Sequence, residues 1–225
     1  MTTAIITAAG TGARFGGEIP KQFLPMKNGV SVLENAVAVF EKSLYVDEII
    51  VTAPENYITQ LHEMMRRFTK VTRIIAGRAT RAESIREAIQ AIHPASETIL
   101  IHDGVRPLVS DALITTIVQA ARKHGAAIPG LPCADTLKQV DPSGKITASV
   151  DRTHLWQVQT PQGFTRAIIC DAYANASNIA NHTDDASLVA TNGANIHLIP
   201  GEKRNLKITT KEDLQIANAL LEASI

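Results

Sequence analysis

The sequence predicts an α/β protein whose mostly parallel, twisted sheet is covered by helices on both faces. Short apolar runs, typical of buried strands, alternate with longer amphipathic stretches, typical of helices, along the whole 225-residue chain. This alternation favours parallel strands joined by right-handed crossovers. No repeat, low-complexity tract or Ser/Gly-rich linker divides the chain, so we expect residues 1–225 to form a single domain.

Six short apolar runs predict the strands of this sheet. They cover residues 4–7, 48–53, 71–75, 98–102, 126–128 and 195–199. Most of these runs are too short to be core helices. In open α/β sheets, ligands bind beyond the carboxyl ends of the strands, so the loops that follow these runs are the first candidates for a site.

Apolar stripes at helical spacing predict the helices between the strands. The first stripe consists of Leu33, Val37, Phe40 and Leu44. Ser31 and Glu34 precede it with the spacing of a capping box, which marks the start of a helix. Further helices are predicted over residues 58–68 and 84–92, from residue 113 to a stop at Gly125, and over residues 166–177, 184–192 and 210–222. Thr210 and Asp213 are placed as a cap pair at the start of the last helix.

Residues 135–150 interrupt the alternation of strands and helices. They are typical of two strands around the turn Asp141-Pro142-Ser143-Gly144, which predicts a projecting hairpin. A lone hairpin with few large apolar residues is marginally stable in water, so we expect this one to lie on another surface. A second subunit is the expected surface.

Composition excludes several classes of protein. The 22 Lys and Arg residues balance 22 Asp and Glu residues, so no overall charge attracts nucleic acid or an anionic membrane. Two cysteines, Cys133 and Cys170, are too few for a disulfide framework, and the 7 histidines lack the spacing of a zinc site. The N-terminus has neither a basic region nor a long apolar segment, so we expect a soluble, unprocessed, cytoplasmic protein.

The loop after the first predicted strand, residues 8–17, is rich in glycine and alanine. Such a loop lets the backbone approach a phosphate closely, and Arg14 and Lys21 add positive charge. Its spacing, G-x-G-x-x-x-G, is one residue away from the dinucleotide-binding pattern, and the chain contains no P-loop motif. The alternative is a tight turn with two solvated cations.

Two further loops follow predicted strands. Residues 77–84 enter a helix whose free amides, together with the Ser84 hydroxyl, could hold a base or a ribose, unless Ser84 is only a helix cap. Residues 102–107 place Asp103 just beyond a buried strand, where a carboxylate suits Mg²⁺ bound between triphosphate oxygens. The alternative for Asp103 is a structural salt bridge with Arg106.

Four segments later in the chain complete a family pattern: Asp151-Arg152 and residues 159–162, 183–187 and 205–209. With the earlier loops they make the chain, from Ala4 to Leu221, resemble the 2-C-methyl-D-erythritol 4-phosphate cytidylyltransferases of the non-mevalonate isoprenoid pathway. The resemblance implies a three-layer, Rossmann-like nucleotidyltransferase fold with a protruding β-arm at about residues 133–153 that builds a homodimer. It also implies Mg²⁺-assisted transfer of CMP from CTP to a polyol phosphate, with release of pyrophosphate.

The resemblance further implies roles for individual residues. The implied catalytic residues are Arg14, Lys21, Arg152 and Lys207. The implied CTP-binding residues are Ala8, Ala9, Gly10, Gly12, Gly77, Arg78, Ser84 and Asp103, of which Asp103 also holds the metal ion. The implied polyol-phosphate-binding residues are Gly104, Arg106, Thr136, Arg152 and Thr183, some of them supplied by the neighbouring subunit. No nucleophilic side chain and no general base are expected.

Three alternative functions remain open. Many members of the family have Ala-Ala where this chain has Gly104-Val105, a form associated also with ribitol 5-phosphate cytidylyltransferases. The segments 135–138, 151–156 and 183–187 favour the methylerythritol branch. An NAD-dependent dehydrogenase would use the glycine-rich loop, but no acidic residue ends the second strand to bind a ribose. A silent nucleotide-binding module would not need Lys21, Asp103 or Arg152.

Overall fold

The predicted apolar runs lie side by side in one central sheet in the computed structural model, which describes residues 1–10, 15–16, 19–176 and 178–223. The strands are β1 (Thr2–Thr7), β2 (Glu48–Ala53), β3 (Val71–Ala76), β4 (Thr98–Asp103), β5 (Ala126–Pro132), β6 (Leu137–Val140), β7 (Ile146–Val150), β8 (Trp156–Val158), β9 (Gln162–Thr165) and β10 (His197–Pro200). The helices are α1 (Val32–Lys42), α2 (Ile58–Met65), α3 (Arg81–Gln90), α4 (Asp111–His124), α5 (Arg166–Asn175), α6 (Asp185–Thr191) and α7 (Lys211–Glu222).

The strand order of the sheet is β10-β5-β9-β4-β1-β2-β3, with β8 paired to β5. Pairing is parallel from β4 through β1 and β2 to β3, and again between β10 and β5. β9 lies antiparallel between β4 and β5. The mostly parallel sheet is therefore confirmed, but the sequence analysis missed β8 and β9, which are three and four residues long.

Helices cover both faces of the sheet and enclose two apolar cores. One core joins the sheet to α1, α2 and α4 through side chains such as Phe40, Leu61 and Ile114. The other joins it to α3, α5 and α6 through side chains such as Ile85 and Ile169. Because successive strand residues face opposite sides, each buried strand contributes to both cores, which gives the predicted three layers.

Helix starts follow the sequence closely, whereas two helix ends do not: α2 ends at Met65 and not at the predicted Phe68, and α1 also ends early. The predicted capping box of Ser31 and Glu34 is present, as is the cap pair of Thr210 and Asp213. The inclusion of Leu44 in the first apolar stripe is wrong. The helix ends at Lys42, the backbone turns extended at Ser43, and Leu44 is 93% exposed.

The hairpin predicted over residues 135–150 is present as a separate two-stranded sheet of β6 and β7. Its turn is held by Asp141, whose Oδ1 accepts hydrogen bonds from the Ser143 amide and hydroxyl. Apolar side chains on the arm face solvent, with Val140 55% and Ile146 60% exposed. Among the described residues, no helix is both long and apolar enough to cross a membrane.

Candidate active site

A pocket of about 390 Å³ lies at the carboxyl ends of β1, β2 and β4, beside the start of α3. This is the edge at which the sequence predicts a site. Eight of the residues proposed from the sequence line it: Ala8, Ala9, Gly10, Lys21, Arg78, Ser84, Asp103 and Lys207. Gly12 and Arg14, which were predicted beside them, lie outside the described residues.

The loop after β1 is shaped by Gln22, a residue that the sequence analysis did not single out. The Gln22 side chain is buried, and its Nε2 donates to the carbonyl oxygens of Ala8, at 2.7 Å, and Gly10, at 2.9 Å. The Ala8 amide in turn donates to the Thr52 carbonyl oxygen on β2, at 2.9 Å. These bonds fix the backbone of the pocket wall; a neutral amide side chain next to Lys21 gives no sequence signal of this role.

The loop between β3 and α3 packs against the same wall. A Cβ atom at Gly77 would lie 2.2 Å from the Cβ of Ala9, so only glycine lets the two loops meet without a shift. The Ser84 hydroxyl donates to the Thr80 carbonyl oxygen and accepts from the Arg78 amide, both at 2.9 Å. Thr80, not Ser84, caps α3. Ser84 therefore shapes the loop, and the alternative that it is the cap is wrong.

Asp103 ends β4 and is the carboxylate of the pocket, surrounded by three cations. Lys207 Nζ lies 2.9 Å from Asp103 Oδ2, and Arg106 Nε lies 3.5 Å from the same oxygen. Arg81 Nε lies 3.4 Å from Oδ1. The predicted salt bridge with Arg106 is thus present, but it is one of three, and Lys207 makes the shortest contact.

The charge state of Asp103 follows from this arrangement. Burial by itself raises the pKa of the carboxyl, but Arg81, Lys207 and Arg106 outweigh burial and hold the pKa well below its usual range. Asp103 is therefore ionised across the physiological pH range. Three cations surround Asp103, and one positive charge remains even when Asp185, which also pairs with Arg81, is counted; this excess favours binding of an anion.

Arg81 is a site residue that the sequence-based roles omit. Its Nη2 lies 2.8 Å from Asp185 Oδ2, so the guanidinium bridges the carboxylates of Asp103 and Asp185. Tyr173 donates its hydroxyl to Asp185 Oδ1 at 2.7 Å, and burial, then Asp185, raise the pKa of that hydroxyl. The bridge depends on α3 and α6 meeting in space, which no local motif reveals.

Gly104 and Arg106 lie behind Asp103 and are not among the residues that line the pocket. A Cβ atom at Gly104 would lie 2.8 Å from Leu33 Cδ1, so this glycine serves close packing of the loop on α1. The buried Arg106 donates from Nη1 to the Asn205 carbonyl oxygen at 2.7 Å. Within one chain, both residues support Asp103 from behind.

Three of the residues proposed for polyol phosphate lie away from the pocket within the described chain. Thr136 and Arg152 are exposed at the base of the arm, where Arg152 Nη1 donates to the Ala134 carbonyl oxygen. Thr183 lines a second, smaller pocket of about 140 Å³, which shares Arg81 with the first. Within one chain, none of Thr136, Arg152 and Thr183 is among the residues that line the larger pocket.

The donor atoms around Asp103 limit how a metal ion can bind. Within the described residues there is no group of three or more His, Cys, Asp or Glu side chains able to hold a metal. Asp103 is the acidic side chain that lines the larger pocket. This donor set fits a Mg²⁺ ion that shares its coordination with phosphate oxygens and water.

The chain matches one family of known proteins over almost its whole length. Residues 2–223 match the family model described as 2-C-methyl-D-erythritol 4-phosphate cytidylyltransferase. The chain belongs to this family. The match agrees with the resemblance found in the sequence, and it contradicts the alternative that the chain is a dehydrogenase.

Individual relatives agree with this assignment. A family member from Syntrophotalea carbinolica is 42% identical, with 97% of this chain and 95% of the relative covered, and one from Syntrophus aciditrophicus is 37% identical at the same coverage. The crystal structure of the 4-diphosphocytidyl-2C-methyl-D-erythritol synthase from Anaerococcus prevotii is similar, with a TM-score of 0.85 and 30% identity, and 98% and 96% of the two chains covered. The nucleotidyltransferase fold is therefore confirmed.

Proposed function

We propose that the protein transfers CMP from CTP to 2-C-methyl-D-erythritol 4-phosphate, with release of pyrophosphate, and that the reaction takes place in the pocket above Asp103. Membership of the family supports the activity. The proposed location rests on the charged side chains around Asp103, here called the ion cluster. A carboxylate held by Lys207, Arg81 and Arg106 lies at the end of a buried strand, next to an open glycine-containing loop.

We infer that the nucleoside of CTP binds between the loop after β1 and the loop before α3. Ala8, Ala9 and Gly10 offer backbone groups along one side, and Ser84 and Arg78 line the other. Gly77 and Ala9 meet closely, so the two loops form one continuous wall of the pocket. Backbone groups fixed by Gln22 then read the edge of the base.

Catalysis rests on charge neutralisation and positioning. The acceptor phosphate is anionic at neutral pH and needs no general base to attack the α-phosphorus of CTP. Lys21, Lys207 and Arg14 offset the negative charge that gathers on the α-phosphate oxygens and on the departing pyrophosphate. Lys21 and Lys207 line the described pocket, which supports these roles.

We infer that Mg²⁺ binds through Asp103 together with triphosphate oxygens. Asp103 Oδ1 is the more loosely held of the two oxygens, at 3.4 Å from Arg81 Nε, whereas Oδ2 has Lys207 Nζ at 2.9 Å. When bound, the ion would neutralise phosphate charge and orient the leaving pyrophosphate. The protein's part is to keep the Asp103 carboxylate ionised and aimed into the pocket.

The acceptor site is completed by a second subunit in this proposal. Thr136 and Arg152 lie on the exposed arm, away from the pocket of their own chain, whereas the arm carries exposed Val140 and Ile146 side chains that suit burial against another copy. We infer a homodimer in which the arm of one subunit brings Arg152 to the phosphate of the polyol bound by its partner. A guanidinium can grip such a phosphate in bidentate fashion.

A reducing, cytoplasmic setting is inferred from the cysteines. Cys133 and Cys170 are free thiols, and neither pairs with the other. A protein whose cysteines remain unpaired suits a compartment that keeps thiols reduced.

An acceptor matrix tests the proposed function. Purified protein with Mg²⁺ and CTP is given 2-C-methyl-D-erythritol 4-phosphate or ribitol 5-phosphate, and pyrophosphate release is followed; ATP, GTP and UTP replace CTP in parallel. We expect release that requires CTP and methylerythritol phosphate. Preference for ribitol 5-phosphate would contradict the proposed acceptor, and absence of release with both acceptors would contradict the proposed activity.

A further inference from the structure

Thr160 and Asn205 are buried polar residues that take no part in the proposed chemistry. Thr160 lies between β8 and β9, and Asn205 lies in the segment between β10 and α7 that also carries Lys207. Asn205 is fully buried and Thr160 is 5% exposed. Buried polar groups are expensive unless they are hydrogen-bonded, so their partners indicate what they hold in place.

The Thr160 hydroxyl holds the end of β4. It accepts a hydrogen bond from the Asp103 amide at 3.0 Å, and it lies 3.0 Å from His102 Nδ1. His102 Nε2 faces the Arg106 carbonyl oxygen at 3.2 Å, and a carbonyl can only accept, so the network assigns the ring proton to Nε2. His102 Nδ1 is then an acceptor, and Thr160 donates to it. The hydroxyl therefore uses its donor on the His102 ring and its acceptor on the Asp103 amide, so it fixes the last two residues of β4.

Asn205 joins this point to the segment that carries Lys207. The Asn205 side-chain Nδ2 donates to the Thr160 carbonyl oxygen at 2.7 Å, and the main-chain carbonyl oxygen of Asn205 accepts from Arg106 Nη1 at 2.7 Å. Gln159 strengthens the link, because its Nε2 donates to the Glu202 carbonyl oxygen at 2.8 Å. Two segments far apart in sequence are thus tied together just behind the Asp103–Lys207 contact.

We propose that Thr160 and Asn205 are positioning residues that set the distance between Asp103 and Lys207 for catalysis. The inference rests on the proposed function, since it assigns a purpose to the 2.9 Å contact between these charged groups. Neither residue lines the pocket, so each acts through Asp103 or Lys207. Preorganised charges are effective only when held in place, and a displacement of about 1 Å can reduce a rate by about 10²-fold.

A matched pair of substitutions at position 160 tests the proposal. Thr160→Val keeps the shape of the side chain but removes the hydroxyl, whereas Thr160→Ser keeps the hydroxyl. In the full-length protein we expect Thr160→Val to lower kcat by about 10- to 100-fold, while the KM for CTP changes by less than about 3-fold, because the walls of the nucleotide pocket are untouched. Thr160→Ser should retain kcat within about 3-fold of the wild type.

Two precautions separate a positioning role from a loss of stability. The melting temperature of each variant is measured by circular dichroism, and each variant is assayed well below its melting temperature. A purely structural role would lower the melting temperature and leave kcat per folded molecule unchanged. If Thr160→Val does not fold, Asn205→Ala, at the other end of the same link, gives the second readout and should lower kcat in the same way. If both fold, the double variant should lose little more than either single variant, because the two residues act as one unit.

The outcomes separate the proposal from the function on which it rests. A wild-type protein without cytidylyltransferase activity contradicts the proposed function. An active wild type with an equally active Thr160→Val variant contradicts only the positioning role. Equal losses of kcat in Thr160→Val and Thr160→Ser also overturn the proposal, because the hydroxyl would then not be the group that matters.

Discussion

At the scale of single residues, Asp103 determines the character of the site. Asp103 is buried and has three cationic neighbours, which strongly favour its ionised form. The pocket therefore contains a fixed negative charge that is surrounded by positively charged side chains. The same carboxylate is the group inferred to meet Mg²⁺. Stability and catalysis therefore depend on one side chain.

Replacement of Asp103 by Asn should impair both properties. The change leaves Arg106 and Arg81 without their shared carboxylate, so we expect a loss of about 3 kcal/mol in the free energy of unfolding, measured by urea denaturation. Turnover of CTP should fall by about 10²-fold or more. Asp135→Asn removes an exposed carboxylate from the arm and is the control for the change in net charge. An Asp103→Asn protein as stable as this control would contradict the role of the ion cluster.

His102 should make the protein sensitive to mild acid. Burial lowers the pKa of His102 to about 4 in the folded protein, whereas an unfolded chain has a histidine pKa of about 6.5. Between these values the unfolded state binds the extra proton, so stability falls as pH decreases from 6.5 to 4, by about 3 kcal/mol in total. Asp103 adds to acid unfolding only at lower pH, because its contribution is lost below the usual pKa of an aspartate.

Chemical denaturation between pH 7 and pH 4 tests this effect. His102→Gln should show a flatter dependence of unfolding free energy on pH than the wild type. His62→Gln, which changes an exposed histidine, should follow the wild type. Parallel curves for the wild type and His102→Gln would show that His102 does not supply the pH dependence.

At the scale of elements, loops that pack on each other set the shape of the pocket. Gly77 follows β3, and Ala9 follows β1, and the two come so close that a new methyl group at position 77 has no space. Gly10, in the same loop as Ala9, has no heavy atom within 4 Å of the position that a Cβ would take. The two glycines therefore offer a test of close packing.

Gly77→Ala should destabilise the protein by about 1–3 kcal/mol, because the added methyl forces the two loops apart. Gly10→Ala should change stability by no more than about 0.5 kcal/mol. Thermal or urea unfolding of the two variants gives the comparison. Equal stabilities would mean that the loops separate at no cost and that the close contact of Gly77 with Ala9 is not required.

Local sequence patterns predict most helices and strands. They do not predict which distant segments come into contact. Buried strands and capped helices carry their signals within a few residues, as the capping box at Ser31 illustrates. β9 was missed because it is short and contains Gly163, where Ile117 packs too closely to admit a Cβ. Asp103, Lys21 and Lys207 were predicted from motifs, but the bridge formed by Arg81 requires α6 to approach α3, which the sequence does not encode locally.

At the scale of the whole molecule, a chain with no net charge concentrates cations at one edge of its sheet. The arm projects from this framework, and its apolar side chains remain exposed in the single chain. A second copy would cover them and bring Arg152 to a site that its own chain does not complete. The proposed homodimer is thus tied to the proposed acceptor site.

Mixed dimers test the exchange of residues between subunits. Lys21→Ala and Arg152→Lys should each reduce turnover, the former by about 10²- to 10³-fold. If the arm serves the partner's pocket, one site of a Lys21/Arg152 heterodimer contains both intact residues, so mixing and re-equilibrating the two impaired variants should raise activity above that of either variant alone. The measurement is pyrophosphate release before and after mixing. If the activity after mixing never exceeds the summed activities of the two separate variants, both residues of a site belong to one chain.

Calorimetric titration of Mg²⁺ and CTP into the native protein tests the central claim most directly, because the claim is that the cations around Asp103 form a site for this anion. We predict saturable binding at one site per chain that is lost or strongly weakened in Lys207→Met, with little binding of NADH. Absence of binding by the wild-type protein, or equal affinity in the Lys207→Met variant, would contradict the assignment of this pocket as the CTP site.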